Sequence, residues 1–140
     1  MTLTIDTETE FGRRVAARLE SDRIGWLVTV SPAGAPVPSP IWFLWDGSDL
    51  LIYSQPGTPK LRNIAANPQV AVHLDGDGEG GDIVVLSGTA RVSDDPPASH
   101  VPDYVAKYAE LIAAYEWTPD SFAADYAVPV RVTATRLRGS

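Results

Sequence analysis

The chain has 140 residues, 44% hydrophobic and 21% charged, enough for one domain with its own core and too little for two. Eighteen acidic residues against eleven basic ones leave a net charge of −7, the wrong sign for a surface that binds nucleic acid or an anionic membrane. The absence of cysteine excludes disulfides, thiolate metal sites and a cysteine nucleophile, and there is no apolar run of about 18 residues to cross a bilayer. The segment after Met1 is polar and acid-bearing rather than signal-like, so a cytoplasmic protein with a single domain over residues 1–140 is expected.

Thr7 is placed to cap a first helix, with Glu10 completing a capping box and Phe11, Val15 and Leu19 on one face at helical spacing. Ile24–Val30, rich in β-branched and aromatic residues, reads as a strand that ends at the turn Ser31-Pro32-Ala33-Gly34. A second strand is expected over Ala35–Trp45. Pro36, Pro38 and Pro40 alternate along it, so their missing amides share one side and place the strand at a sheet edge or bulge, open to a ligand or partner. Trp42 and Phe43, being adjacent, point to opposite faces of an extended chain. Asp46-Gly47 signals a hairpin into Leu50–Ser54.

Thr58-Pro59 opens a short helix that Asn67-Pro68 ends. Val70–Leu74 and Ile83–Val92 are strands on either side of a glycine and acid loop. Ser99 and Pro102 mark the start of a helix carrying Val105, Tyr108, Ile112 and Tyr115 on one stripe, and Thr118-Pro119 opens another to about Tyr126. Val128–Leu137 alternates, with Val130, Val132 and Ala134 on one side. Six strands in mostly hairpin-like succession, with no recurring strand–helix–strand unit, predict a mainly β protein with peripheral helices, a small antiparallel barrel.

Two apparent signatures fail. Gly76–Gly81 spells a dinucleotide fingerprint, but a strand follows it instead of a helix and its acids would repel phosphate, so it reads as a solvated loop. The same tract lacks the twelfth-position glutamate of a calcium loop, where Leu86 stands. His73 and His100 have no metal-ligand spacing, so no metal is expected, and no serine sits in a nucleophile elbow. Any catalysis is expected from a bound cofactor, and no side chain is assigned a catalytic role.

The informative stretch runs from Tyr53 to Asn63. Between Ser54 and Leu74 the only formal charges are Lys60 and Arg62, a positive spot at a predicted helix amino terminus in an acidic chain. Ser54, Gln55 and Thr58 add donors beside it. These cations either grip an anion or solvate a surface helix. Trp42, Phe43 and Trp45 beside Pro38-Ser39-Pro40 make a flat wall with few amide donors, suited to a planar ring or to a core, and Trp117 is a second candidate wall.

In combination these stretches resemble the pyridoxamine 5′-phosphate oxidase-like, flavin-binding split β-barrel superfamily. The resemblance lies in Thr29–Pro36, Pro38–Phe43, Tyr53-Ser54, Lys60–Ile64 and Asn67–Val70, and more loosely in Thr133–Leu137. It implies a six-stranded antiparallel split β-barrel. The strand Pro40-Ile41-Trp42-Phe43 and the small size resemble the actinobacterial branch that uses the deazaflavin coenzyme F420. That branch places cofactor phosphate on the residues matching Ser54, Lys60, Arg62 and Asn63, and its ring on Pro38, Ser39, Pro40, Ile41 and Trp42. It further implies a homodimer with cofactor clefts at the interface and hydride transfer with a small conjugated substrate, with Tyr53, Tyr126 or solvent as proton donor. The loop Gln55–Pro59 lacks the extra basic residue that relatives often carry, which leaves F420, FMN and haem open as occupants, and a non-catalytic carrier open as the role. No residue pair matches a vitamin B6 substrate site.

Overall fold

The computed structural model describes residues 3–140. In chain order the elements are α1 (Glu10–Ser21), β1 (Gly25–Val30), β2 (Pro36–Ile41), β3 (Leu44–Trp45), β4 (Asp49–Ser54), α2 (Pro59–Ala66), β5 (Gln69–Leu74), β6 (Val84–Val92), α3 (Pro102–Ala114), α4 (Pro119–Asp125) and β7 (Val128–Gly139). The strands form one antiparallel sheet in the order β2-β1-β5-β6-β7-β4-β3. It has seven strands among the described residues, not the six expected, because the stretch Ala35–Trp45 breaks at Trp42-Phe43. The physical reason is a helix side chain: the Phe43 N–H donates to the Tyr108 hydroxyl at 2.7 Å, in place of a strand partner.

Two residues join β2 to β3, and these are the two ends of the sheet order. Three peptide steps span at most about 11 Å, so the edges must approach each other and the sheet must curl into a half-barrel. As the alternating prolines predicted, β2 is an edge strand. Pro36, Pro38 and Pro40 lie opposite Val30, Val28 and Trp26 of β1.

The curl creates two cores. Inside it, α1 and the concave strand faces bury Val15, Leu19, Leu27, Phe43, Leu50 and Ile52. Outside it, α3 and α4 cover Leu51 and Tyr53, so β4 is buried on both faces. Phe43 enters the first core and Trp42 packs against the second, the opposite-face arrangement expected of neighbours in extended chain.

Two local expectations are corrected. Thr9, not Thr7, caps α1, its hydroxyl accepting from the Gly12 N–H at 2.9 Å. The buried row of α3 is Tyr104, Tyr108 and Ile112, whereas Tyr115 has left the helix as its C-cap and is exposed. By contrast Thr118 caps α4 in a full capping box with Ser121, and Val130, Val132 and Ala134 of β7 are buried as their alternation predicted.

A charge cluster pins the outer layer. Arg131 of β7 donates to both oxygens of Asp95, at 2.7 and 2.8 Å, and to Asp46 at 2.6 Å. The hydrogen bond from Arg131 holds the Asp95 carboxyl down at about 2. That lies below the unfolded value of about 3.9, so the contact favours folding above about pH 4 and is lost as pH falls toward 2. Urea unfolding at pH 7, 4 and 2.5 is expected to show wild-type stability falling over that interval. Asp95→Asn should be less stable at pH 7 and less sensitive to acid.

Candidate functional site

Where β4 meets α2, the chain must turn sharply, and Gly57 takes a φ of 73° in the connecting loop. Ser54, at the end of β4, is buried; its hydroxyl lies 3.0 Å from the Thr58 hydroxyl and donates to the Gln55 carbonyl at 2.8 Å. Thr58 occupies the N-cap of α2 without capping it through its side chain, and Pro59 follows at the first helical position. The first-turn amides are therefore left for another partner, and the macrodipole favours an anion there. Asn63 is also buried and donates to the Thr29 hydroxyl at 3.0 Å, tying α2 to β1.

The two cations of this region separate. Arg62 is exposed and donates to the Gly57 carbonyl at 2.6 Å. Lys60 turns the other way, becomes half-buried, and has no carboxylate within ion-pair distance among the described residues. Burial lowers its affinity for the proton, and no neighbouring charge compensates. Its ammonium is thus partly desolvated and unpaired among the described residues.

Lys60 reaches the wall of a cavity of about 180 Å³. Pro40, Ile41 and Trp42 form one side, Tyr53 the sheet side, and Tyr104, Tyr115, Trp117, Phe122 and Tyr126 the helical side. Pro38 and Ser39 lie farther along β2, outside that wall; Pro38 is exposed, and the Ser39 hydroxyl is buried without a partner. Trp42 is held flat between Tyr108, 4.6 Å away and 2° from parallel, and Phe122, at 5.2 Å and 13°. Tyr108 also secures the backbone here: besides accepting from Phe43, its hydroxyl donates to the Arg23 carbonyl at 2.7 Å.

Trp117 arrives by a strained turn. After the C-cap Tyr115, Glu116 takes a φ of 61°, a left-handed conformation that costs a non-glycine residue about 1–2 kcal/mol. In return the Glu116 N–H donates to the Ala113 carbonyl and the Trp117 N–H to the Ile112 carbonyl, each at 2.9 Å. The reversal stacks Trp117 on Tyr115 at 4.8 Å and brings it 6.3 Å from Trp42.

The sequence reading thus named Lys60, Pro40, Ile41, Trp42 and Trp117 on this wall, together with the proton-donor candidates Tyr53 and Tyr126. It missed Tyr104, Tyr115 and Phe122. A signal existed: half of the aromatic residues in the chain lie between Tyr104 and Tyr126. Tyr53 has its hydroxyl committed to the Pro96 carbonyl, and burial pushes its pKa up to about 12. No group of three or more potential metal-ligating side chains occurs among the described residues.

A curled antiparallel half-barrel with helices over one outer face defines the split-barrel class of folds. The chain belongs to the pyridoxamine 5′-phosphate oxidase family, whose sequence pattern it matches over residues 11–138. Among solved structures, an F420 reductase is 30% identical, with 87% of this chain and 94% of that one covered at a TM-score of 0.64. General stress protein 26 of Bacillus anthracis (19% identity, 89% of each chain, TM-score 0.68) has the same fold. So has an FAD-binding protein of Mesorhizobium loti (19%, 98% of this chain and 92% of that one, TM-score 0.63). No curated protein matches the chain.

Proposed function

We propose that the chain binds a flavin-type cofactor, coenzyme F420 with FMN as the alternative, and transfers a hydride between it and a small conjugated substrate. The observation that carries this reading is Lys60, a half-buried cation with no counterion, at the amino terminus of α2 and on the wall of an aromatic cavity. The 30% identity with an F420 reductase supports F420 over FMN. When bound, such a cofactor supplies the hydride chemistry.

The residues present fit a ligand with an anionic tail and a flat ring. Lys60 and Arg62 are the groups that meet the tail; Pro38, Ser39, Pro40, Ile41 and Trp42 are the strand that meets the ring. Ser54 and Asn63 act behind them, because their side chains are buried and engaged in setting the loop and α2. The aromatic walls keep water from the reacting atoms. At about 180 Å³ the cavity is smaller than the ~300–1,000 Å³ of ordinary ligand sites. One chain therefore supplies part of a cleft, and the reading includes a homodimer with the cleft at its interface. A cytoplasmic location goes with it.

A non-catalytic carrier is the second reading, favoured by the commitment of the Tyr53 proton to Pro96. Fluorescence titration with F420 and, separately, with FMN tests both. F420 is expected to bind at micromolar concentration or below, with weaker FMN binding; binding of neither overturns both readings. Binding without reoxidation of the reduced cofactor by any conjugated acceptor selects the carrier.

A further inference from the structure

The break between β2 and β3 is held by two adjacent side chains of α3. The Phe43 N–H donates to the Tyr108 hydroxyl at 2.7 Å, and the Phe43 carbonyl lies 2.8 Å from the Lys107 ammonium and 3.0 Å from the Tyr108 hydroxyl. The Lys107 ammonium also stands over the Phe43 ring, 3.8 Å from its centre. In a continuous strand these backbone groups would meet a neighbouring strand; here a helix supplies both donor and acceptor.

The Tyr108 hydroxyl carries one proton and faces two carbonyls, that of Arg23 at 2.7 Å and that of Phe43 at 3.0 Å. Burial raises Tyr108 above the usual tyrosine range, so the proton stays on the oxygen. One proton makes one good bond, and the second carbonyl needs another donor. Lys107 is that donor for Phe43, which leaves the Tyr108 proton on the shorter contact to Arg23. The same hydroxyl fixes the ring that carries it. That ring lies 4.6 Å from Trp42 and 2° from parallel, and Trp42 lines the aromatic cavity. Lys107 is not on the cavity wall; it lines a separate groove with Glu20 of α1, Trp45 of β3 and Asp103 of α3. Any effect of Lys107 on the cavity therefore passes through Phe43 and Tyr108.

We propose that Lys107 is a positioning residue: by occupying the Phe43 carbonyl it commits the Tyr108 proton to the Arg23 carbonyl, and so fixes the tyrosine ring that seats Trp42 in the cavity wall. That this seat serves a bound ring rests on the cofactor reading above. That Lys107 sets the seat does not, and it is tested on protein without cofactor.

Lys107→Met keeps the length of the side chain and removes its N–H donors, whereas Lys107→Arg keeps a cationic donor. In NMR spectra Lys107→Met is expected to move the Phe43 carbonyl carbon and the Trp42 indole signal. The indole of Trp26, which stacks on His73, should stay in place, and Lys107→Arg should bring the first two back toward wild type. A second readout needs no variant to fold. Burial lowers the Lys107 pKa to about 8, partly offset by the carboxylates of Asp22 and Glu20, and Asp103 shares its groove. The Phe43 carbonyl and Trp42 indole of the wild type should therefore titrate together with a midpoint at about 8. Lys60, on the cavity wall, is also lowered by burial, so Lys60→Ala is the control. The transition should persist in Lys60→Ala and vanish in Lys107→Arg.

At pH 7 F420 affinity should fall about threefold to tenfold in Lys107→Met, the equivalent of one hydrogen bond, and recover in Lys107→Arg. The proposal is overturned if Phe43 and Trp42 fail to move in Lys107→Met, if Trp26 moves as much, if Lys107→Arg displaces them equally, or if neither titrates in the wild type. Displaced signals with unchanged F420 affinity would overturn the link to ligand binding. If the wild type binds neither F420 nor FMN, the cofactor reading fails and the seating of Trp42 by Lys107 stands.

Discussion

Lys60→Ala is expected to weaken F420 binding about tenfold to a hundredfold, read by fluorescence titration at low salt. The magnitude is that of one hydrogen bond to a charged group, about 1.5–3 kcal/mol. Lys60 is expected to carry the larger share of the proposed tail contact because it is half-buried and unpaired among the described residues, so a ligand would meet a cation that has already lost part of its hydration. Arg62→Ala should cost less, since its guanidinium is exposed and already occupied by the Gly57 carbonyl. The double variant should bind more weakly than either. Stability separates a ligand-binding role from a structural one. Removing an uncompensated, partly desolvated charge should leave the melting temperature of Lys60→Ala equal to or above that of the wild type, whereas a lysine that held the fold would lower it. Unchanged F420 affinity in the double variant would place the anion elsewhere.

Gly88→Ala should have the largest effect on the fold, a loss of at least about 3 kcal/mol and a fall of roughly 10 °C in melting temperature. Gly88 sits in β6 where the register with β7 shifts, and a Cβ built there would overlap the Thr133 carbonyl carbon and oxygen. Those atoms are backbone of the neighbouring strand and have no rotamer by which to give way. β6 and β7 form the longest strand pair of the sheet, running from Val84–Gly139 to Val92–Val130, so a local separation there opens the half-barrel at its middle. Calorimetry measures the shift, and a change of less than a few degrees would mean that the bulge relaxes around the added methyl group.

Several elements were legible because the information is local. Alternating prolines remove amides from one side of β2 whatever else the chain does, so its edge position follows from the residues themselves. Thr58-Pro59 and Thr118-Pro119 open helices because proline supplies the right φ and lacks an amide that has no partner there anyway. The alternation in β7 likewise marked its buried face. The first-helix cap failed by two residues because Thr7 and Thr9 are both competent, and only the fold of the preceding turn chooses between them.

The sequence by itself determined the mainly β class, the edge strand, the start of α2 and the pairing of a cationic spot with an aromatic strand. The tertiary structure alone decided how these are used. It broke one expected strand into two, since the Phe43 amide found a tyrosine 65 positions away. It sent Lys60 into the cavity and Arg62 to the surface, and it buried Ser54 and Asn63 behind them. It also left the Tyr104 hydroxyl, alone of the three buried tyrosines, without a partner. In each case the deciding contact lies between groups remote along the chain or on opposite sides of one helix turn, and local pattern holds no record of which partner a side chain meets once the sheet has curled.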